Sequence, residues 1–164
     1  MVVFYFDTSA IIKRYRIEKG TAIVDEILGN PFSQDIFYTS FLTILEVTSS
    51  ITRLKRSSQL TDYLAREIFS RFRQDIHEHF RILPLDNETA TNAISLVEQY
   101  GLRSADAIHM ATAIYIFCAI AGSAHAMVSS DRELVQAAKS SNIVVLNPEI
   151  EDSLNMLRKL RAGI

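Results

Sequence analysis

Short apolar segments alternate with longer amphipathic segments along most of this sequence. The first of them, Val2–Phe6, reads VVFYF, and its β-branched and aromatic residues favour a strand that is buried on both faces. Comparable short segments recur at residues 36–39, 80–85, 126–129 and 143–146. Strands that alternate with helices build a parallel sheet with helices on both faces. The sequence therefore predicts a three-layer α/β/α, Rossmann-like domain with a mainly parallel central sheet.

The segments between these strands are predicted to be helical, because apolar residues recur in them at intervals of three and four. The predicted helices cover residues 8–18, 21–28, 42–55, 60–79, 87–100, 104–121, 132–140 and 149–160. In the helix at 87–100, we expect Ala90, Ala93, Ile94 and Val97 to face the core. The whole chain has 164 residues and no Pro-, Gly- or Ser-rich linker, so one domain is expected.

The composition excludes several classes of protein. The single cysteine, Cys118, rules out an intrachain disulfide framework and a thiolate-rich zinc site. The longest apolar stretch, residues 107–121, has 15 residues and is shorter than the roughly 18–20 needed to cross a bilayer. The N-terminus lacks a basic region, and Asp7 interrupts its apolar run, so no signal peptide is expected. These features predict a cytoplasmic protein that does not associate with membranes.

The charge balance excludes a general attraction for polyanions. The chain has 17 Lys and Arg residues against 19 Asp and Glu residues, a net charge of −2. A nucleic-acid partner would therefore have to be held locally, by small basic patches or by metal ions.

Four acidic residues occupy positions that suggest a metal site. Asp7 directly follows the first strand, and Asp131 follows the predicted strand at 126–129, so both are expected at the carboxyl edge of the sheet, where ligands bind. Glu46 and Asp106 lie in apolar helical segments, where an acid is costly to bury unless something compensates it. A shared Mg²⁺ or Mn²⁺ would compensate all four, because hard cations prefer carboxylate oxygens.

Each acid taken alone also has a purely structural explanation. Asp7 and Asp131 are suitable helix caps, and Asp106 suits the first turn of a helix. Glu46 could be a solvated position on an imperfectly amphipathic helix. His109, in the same helix as Asp106, is more often a satisfied buried histidine than a metal ligand. Only the set of four acids favours a metal site.

Four segments together resemble PIN-domain proteins. They are FDTSAIIK at residues 6–13, FLTILEVTSSI at 41–51, LRSADAIHMATA at 102–113 and VSSDRELVQAA at 128–138. Within this family, the sequence is most similar to the ribonuclease toxins (VapC) of VapBC toxin–antitoxin systems. The resemblance covers residues 1–148, and residues 149–164 are expected to add a C-terminal helix to the same domain.

The resemblance implies a set of site residues. The catalytic and metal-binding acids would be Asp7, Glu46, Asp106 and Asp131, with Thr8 and Ser129 in supporting positions. Asp7 and Asp106 would hold the principal Mg²⁺ or Mn²⁺ ion, Glu46 would complete that site, and Asp131 would serve a second ion or orient its waters. Basic side chains near these motifs are weaker candidates for contacts with RNA phosphates: Arg103, Arg132, Lys13 and Arg14.

The activity that the resemblance implies is metal-dependent endonucleolytic cleavage of RNA, leaving 5′-phosphate and 3′-hydroxyl ends. A small antitoxin protein would be the cognate partner, and a homodimer is also implied. The helices at residues 42–73 are a candidate groove for the antitoxin, and core packing is an equally good explanation of their apolar residues. Two alternatives remain open, a non-catalytic PIN-fold module that binds RNA or protein, and a DNA nuclease of similar fold. Nucleotide-dependent chemistry is disfavoured because neither G-x-x-x-x-G-K-[ST] nor G-x-G-x-x-G occurs.

Overall fold

A parallel β-sheet forms the centre of the computed structural model, which describes residues 1–29, 34–120 and 122–163. In these residues the sheet has five strands in the order β3-β2-β1-β4-β5, and every neighbouring pair is parallel. The strands are β1 (Val2–Phe6), β2 (Ile36–Ser40), β3 (Phe80–Leu83), β4 (Ala124–Val128) and β5 (Val145–Leu146). The first strand of the sequence is thus the central strand, and all carboxyl ends meet at one edge.

Helices connect the strands and cover the sheet. Those in the described part of the chain are α1 (Thr8–Ile11), α2 (Thr21–Gly29), α3 (Phe41–Arg56), α4 (Asp62–His79), α5 (Asn87–Tyr100), α6 (Ser104–Ala119), α7 (Arg132–Ser140) and α8 (Ser153–Ala162). A short 3-10 turn, Ile12–Arg14, continues α1. None of the helices in these ranges is long and apolar enough to cross a membrane.

The side chains of β1 alternate between two hydrophobic clusters, one on each face of the sheet. Phe4 and Phe6 pack with buried residues of α1, α2, α3, α4 and α8. Val3 and Tyr5 point to the opposite face and pack with α5, α6 and α7. All five residues of β1 are buried, as predicted for a strand covered on both faces. The predicted three-layer α/β/α architecture is confirmed.

Some predicted boundaries and faces were wrong for identifiable reasons. The helix predicted at 8–18 is shorter, since α1 ends at Ile11 and the 3-10 turn that continues it ends at Arg14. Beyond this end, the Thr21 hydroxyl donates to the carbonyls of Lys13 and Arg16, at 2.9 and 3.1 Å, in place of helical N–H groups. In α5, Ile94 and Val97 are 60% and 38% exposed, and the predicted core position Ala90 is exposed as well. The predicted helix end at Ala121 lies outside the described residues.

Helix α8 covers one face of the sheet and is linked by hydrogen bonds to the central strand, β1. Leu157 is 1% exposed and belongs to the cluster that contains Phe4 and Phe6. Near the end of α8, Arg161 Nε donates to Asp35 Oδ2 at 2.9 Å. The other oxygen of Asp35 accepts the backbone N–H of Val2, at 3.1 Å. One buried carboxylate thus links α8 to the beginning of the central strand.

A buried ion pair joins the end of the first helical segment to α4. Asp75 accepts hydrogen bonds from Arg14 at 2.7 and 3.2 Å and from the Tyr15 hydroxyl at 2.8 Å. Burial would raise the pKa of Asp75, but the hydrogen bonds from these two residues outweigh it and lower the pKa. The pair therefore adds stability at neutral pH, and this contribution is lost as the pH falls through the lowered pKa.

Replacing Asp75 by asparagine is expected to lower the free energy of unfolding by about 3 kcal/mol, because it leaves the Arg14 charge partly uncompensated in the interior. Urea denaturation at neutral pH measures this loss. Asp62→Asn is the matched control, since it breaks an exposed pair with Lys55 that should contribute only about 0–1 kcal/mol. Equal destabilisation by the two variants would contradict the prediction.

Candidate active site

The four predicted acids come from four different elements around the carboxyl edge of the sheet. Asp7 follows β1 and caps α1, and Asp131 follows β4 and caps α7. Asp106 lies in the first turn of α6, and Glu46 lies in α3, which follows β2 directly. The N–H of Asp7 donates to the carbonyl of Val128 at 3.2 Å, which holds the ends of β1 and β4 together.

Asp7 is held rigidly by its hydrogen bonds. It is 3% exposed, and its carboxylate accepts the Ser9 hydroxyl at 2.8 and 2.9 Å, the Ser129 hydroxyl at 2.7 Å and the Ala10 N–H at 2.9 Å. Burial raises the pKa of Asp7, although the nearby His109 and these hydrogen bonds act in the opposite direction. Asp7 is therefore both a helix cap and an acid whose negative charge is costly to maintain.

Asp106 and Asp131 are close enough to each other and to Asp7 for their charges to interact. Burial, with repulsion from the Asp131 carboxylate and a smaller contribution from Asp7, raises the pKa of Asp106 to about 6. Asp131 is oriented by the N–H of Leu134, which donates to its Oδ1 at 2.9 Å. The charges of these three carboxylates thus interact at the sheet edge, and their repulsion favours a proton or a cation there.

Glu46 is tied to the same edge through Thr8 and His109. Its Oε2 accepts the Thr8 hydroxyl and also lies 2.9 Å from Nε2 of His109. Burial would raise the pKa of Glu46, but these two hydrogen bonds outweigh it and lower the pKa. The neighbouring Leu45 is 56% exposed, so α3 turns this part of its surface towards solvent. Glu46 is accordingly half-buried at the rim of the site.

A family model for the PIN domain matches residues 4–140. The chain belongs to the PIN-domain family. PIN domains are generally nucleases, and PIN nucleases typically use divalent metal ions. No curated protein is a significant sequence relative of this PIN domain.

Solved structures share the fold of this PIN domain. The FitAcB structure from Neisseria gonorrhoeae is 23% identical, with a TM-score of 0.62, over 90% of this chain and 98% of that one. VapBC2 from Rickettsia felis, bound to a DNA fragment from the promoter, is 13% identical, with a TM-score of 0.58, over 87% and 96%. A toxin–antitoxin complex from Klebsiella pneumoniae is 17% identical, with a TM-score of 0.57, over 88% and 96%. At these identities the likeness establishes the fold.

The donor set of this PIN domain suits a divalent cation in chemistry and charge. Carboxylate oxygens are the ligands that Mg²⁺ and Mn²⁺ prefer. The pKa of Asp106 is raised first by burial and then by the Asp131 and Asp7 carboxylates, so a nearby cation would favour its ionised form. Across the described ranges, however, no three or more His, Cys, Asp or Glu side chains are gathered tightly enough to hold a metal ion. The types, positions and charges of these residues suit a metal ion. Their side chains are not close enough together to coordinate one.

Two of the predicted phosphate contacts are engaged elsewhere in the protein. Lys13 is 4% exposed and donates to Glu18 at 3.0 Å and to Glu149 at 2.7 Å. Arg14 is paired with Asp75, as described above. Because these ion pairs neutralise both side chains, we do not retain Lys13 and Arg14 as substrate contacts.

The two other predicted basic contacts flank the acids and are exposed. Arg103 immediately precedes α6, and Arg132 is the first residue of α7, directly after Asp131. The only ion pair of Arg103 in the described residues is a long one, 3.9 Å, to the exposed Glu133. Both guanidinium groups therefore remain candidates for contacts with phosphate.

The sequence interpretation missed Ser9. Its hydroxyl donates to Asp7, and it accepts the backbone N–H of Ser130 at 2.8 Å, so it bridges the loops that follow β1 and β4. The two hydroxyl residues after Asp7 in the DTS sequence are the signal that could have identified it. Thr8 and Ser129, which were predicted as supporting residues, contact Glu46 and Asp7 respectively.

Proposed function

We propose that this PIN domain is a divalent-metal-dependent endoribonuclease and the toxin of a type II toxin–antitoxin pair. The observation that carries the proposal is that Asp7, Asp106 and Asp131 interact electrostatically at the carboxyl edge of the sheet. Glu46 is linked to the same edge through Thr8 and His109. The mutual repulsion of the three aspartates is a disadvantage for folding, and a bound cation would remove it. The family is one of nucleases, and its structural neighbours include toxin–antitoxin complexes.

In the proposed mechanism, Asp7, Glu46, Asp106 and Asp131 would hold Mg²⁺ or Mn²⁺, which when bound would supply Lewis acidity for activating water and stabilising the leaving oxygen. The hydroxyls of Ser9 and Ser129 keep the Asp7 carboxylate in one orientation, and the first turn of α7 orients Asp131. Arg103 and Arg132, which are exposed and adjacent to the motifs of Asp106 and Asp131, would contact RNA phosphates. No protein side chain acts as a covalent nucleophile, so the products carry 5′-phosphate and 3′-hydroxyl ends.

Removing divalent metal is expected to abolish cleavage and to weaken RNA binding. The net charge of −2 and the crowded carboxylates repel RNA unless a cation neutralises them. The measurement is cleavage of a structured RNA with EDTA and after addition of Mg²⁺ or Mn²⁺, followed by analysis of the RNA ends. Full cleavage with EDTA would refute the metal mechanism. Binding without cleavage in either metal would favour the non-catalytic alternative, and preference for DNA in competition would favour a DNA nuclease.

An apolar cleft offers a place for the antitoxin partner. It has a volume of about 330 Å³ and lies between the 3-10 turn and the helices α3 and α4. Its apolar lining includes Ile12, Ile51, Leu54, Leu60 and Ile68. It coincides with the groove expected from the sequence in the helices at 42–73. We propose that an apolar helical segment of a small antitoxin docks in this cleft, in the cytoplasm. The homodimer implied by the resemblance stays a prediction.

Leu54→Asp is expected to prevent copurification with a coexpressed antitoxin, because it places a charge among the apolar residues of the cleft. Leu64→Asp is the matched control, since Leu64 lies on α4, is 47% exposed and does not line the cleft. Circular dichroism establishes that both variants are folded. Copurification that survives Leu54→Asp in a folded variant would place the antitoxin elsewhere.

A further inference from the structure

The hydrogen bonds of Glu46 continue from the site into the core through two buried aromatic side chains. His109 is 2% exposed and Tyr5 is 0% exposed. The Tyr5 hydroxyl lies 2.9 Å from His109 Nδ1, and His109 Nε2 lies 2.9 Å from Glu46 Oε2. The chain of contacts thus begins in the central strand, passes through α6 and ends at a carboxylate on α3.

The chemistry of the three groups sets the direction of these hydrogen bonds. An ionised carboxylate only accepts, so His109 must carry a proton on Nε2 to donate to Glu46. In the neutral imidazole, the unprotonated Nδ1 then accepts from the Tyr5 hydroxyl. Burial raises the pKa of Tyr5 well above its ordinary value, so its hydroxyl keeps the proton that it donates. The arrangement selects one tautomer of His109 and leaves neither of its ring nitrogens unpaired.

Both donors to Glu46 reach the same oxygen atom. The Thr8 hydroxyl and His109 Nε2 both contact Oε2. The other oxygen, Oε1, has no hydrogen bond within the part of the chain that the structure describes. A carboxylate held by one oxygen has little rotational freedom, and its second oxygen is available to a ligand.

The residues that hold Glu46 also belong to the elements that carry the other acids. Tyr5 is two residues before Asp7 in the chain, and His109 is one helical turn after Asp106. Any shift of β1 or α6 that displaces one of these acids also displaces the support of Glu46. The network therefore couples the position of Glu46 to those of Asp7 and Asp106.

We propose that Tyr5, His109 and Thr8 are positioning residues that fix the Glu46 carboxylate by Oε2 and present Oε1 to the metal. The proposal rests on the proposed function, because it assigns a purpose to Glu46. It gives His109, which the sequence interpretation treated as a satisfied buried residue, a role in the site without contact with substrate.

The decisive comparison is Tyr5→Phe against Tyr38→Phe. Both tyrosines are buried, and they are register partners in adjacent strands, but the Tyr38 hydroxyl contacts Arg81, not the site. Tyr5→Phe is expected to weaken Mn²⁺ binding, measured by electron paramagnetic resonance, by about 10-fold. This is the low end of the usual effect of losing a partner of a metal ligand, because Tyr5 acts on Glu46 through His109. RNA cleavage should fall with it, and Tyr38→Phe should change neither. Equal Mn²⁺ affinities in the two folded variants would overturn the proposal.

Conservative variants test the hydrogen bonds without relying on a single substitution. His109→Gln and Thr8→Ser keep a donor near Oε2 and are expected to retain more Mn²⁺ affinity than His109→Leu and Thr8→Val. Melting temperatures separate this pattern from simple loss of stability. If Mn²⁺ affinity followed the melting temperature irrespective of the donor, the roles would be merely structural.

Nitrogen-15 NMR of the His109 imidazole in the wild type can show that this proposal is wrong independently of whether the proposed function is wrong. The proposal requires that His109 carry its proton on Nε2, the nitrogen that faces Glu46, in the metal-free wild type at neutral pH. The Nδ1–H tautomer in the wild type would overturn the positioning role, whatever the activity. A different outcome is the expected tautomer in a protein that neither binds Mn²⁺ nor cleaves RNA. This result would support the hydrogen-bond network but would contradict its role in a metal site.

Discussion

Asp7→Asn is expected to reduce RNA cleavage by more than about 100-fold, beyond the range typical of residues that only support a metal ligand. The substitution removes the negative charge nearest the centre of the proposed site and keeps the size of the side chain. The amide oxygen can still accept the Ala10 N–H, and the Ser9 and Ser129 hydroxyls can rotate to accept from the amide nitrogen. The fold should therefore survive. Cleavage rates with saturating Mg²⁺ and circular dichroism measure the two effects.

Asp86→Asn is the matched control for this experiment. Asp86 caps α5 by accepting the Thr89 N–H at 2.8 Å, as Asp7 caps α1 by accepting the Ala10 N–H at 2.9 Å. A reduction of cleavage in both variants would mean that capping explains the effect. A folded Asp7→Asn variant with wild-type cleavage would remove Asp7 from the mechanism.

Asp106→Asn is expected to abolish cleavage and, at the same time, to raise the melting temperature of the metal-free protein. The folded-state pKa of Asp106 is about 6, above the unfolded value of about 3.9. Its ionisation therefore costs stability. This cost is absent below pH ~4, grows as the pH rises through about 6, and is fully present at neutral pH. Removing a destabilisation of ~1 kcal/mol, a value discounted for solvent screening, would raise the melting temperature by about 2–4 °C.

Melting temperatures measured at two pH values, with and without metal, test whether ionisation of Asp106 causes the destabilisation. At neutral pH without metal, Asp106→Asn should melt above the wild type, and the difference should shrink at pH ~5, where Asp106 is mostly protonated. Saturating Mg²⁺ should stabilise the wild type more than the variant. Glu98→Gln, an exposed substitution on α5, should leave the melting temperature unchanged. A variant that melts below the wild type in all conditions would show that Asp106 is primarily structural.

The succession of strands and helices could be predicted from the sequence because local patterns determine it. The VVFYF segment matches β1, and the predicted bounds of the helices Asn87–Tyr100 and Arg132–Ser140 agree with the structure. Gly101 ends the first of these in the left-handed conformation, with φ of 67°, which glycine adopts without steric cost. The exposure of Ile94 could not be predicted, because the apolar pattern of a helix does not reveal which stripe a neighbouring helix covers.

The positions of the four acids around the sheet edge could be predicted from the sequence, and the contacts that hold these acids could not. The acids follow strand ends or interrupt apolar segments, and both features are visible in the sequence. The contacts of Glu46 with Thr8 and His109 join residues 38 and 63 positions away, and no local pattern encodes such pairs. For the same reason, the burial of Lys13 between Glu18 and Glu149 was not foreseen, and Lys13 was wrongly grouped with accessible basic residues.

The central place of β1 in the sheet has a consequence for synthesis on the ribosome. Strand β1 and Asp7 emerge before the neighbouring strand β4, and the Ser129 hydroxyl that holds Asp7 comes 122 residues after it. Domains fold as units once their segments have emerged, so the acids cannot assemble on a partly synthesised chain. If the protein is the proposed nuclease, a nascent chain on a translating ribosome has no active site until nearly all of this domain has been made.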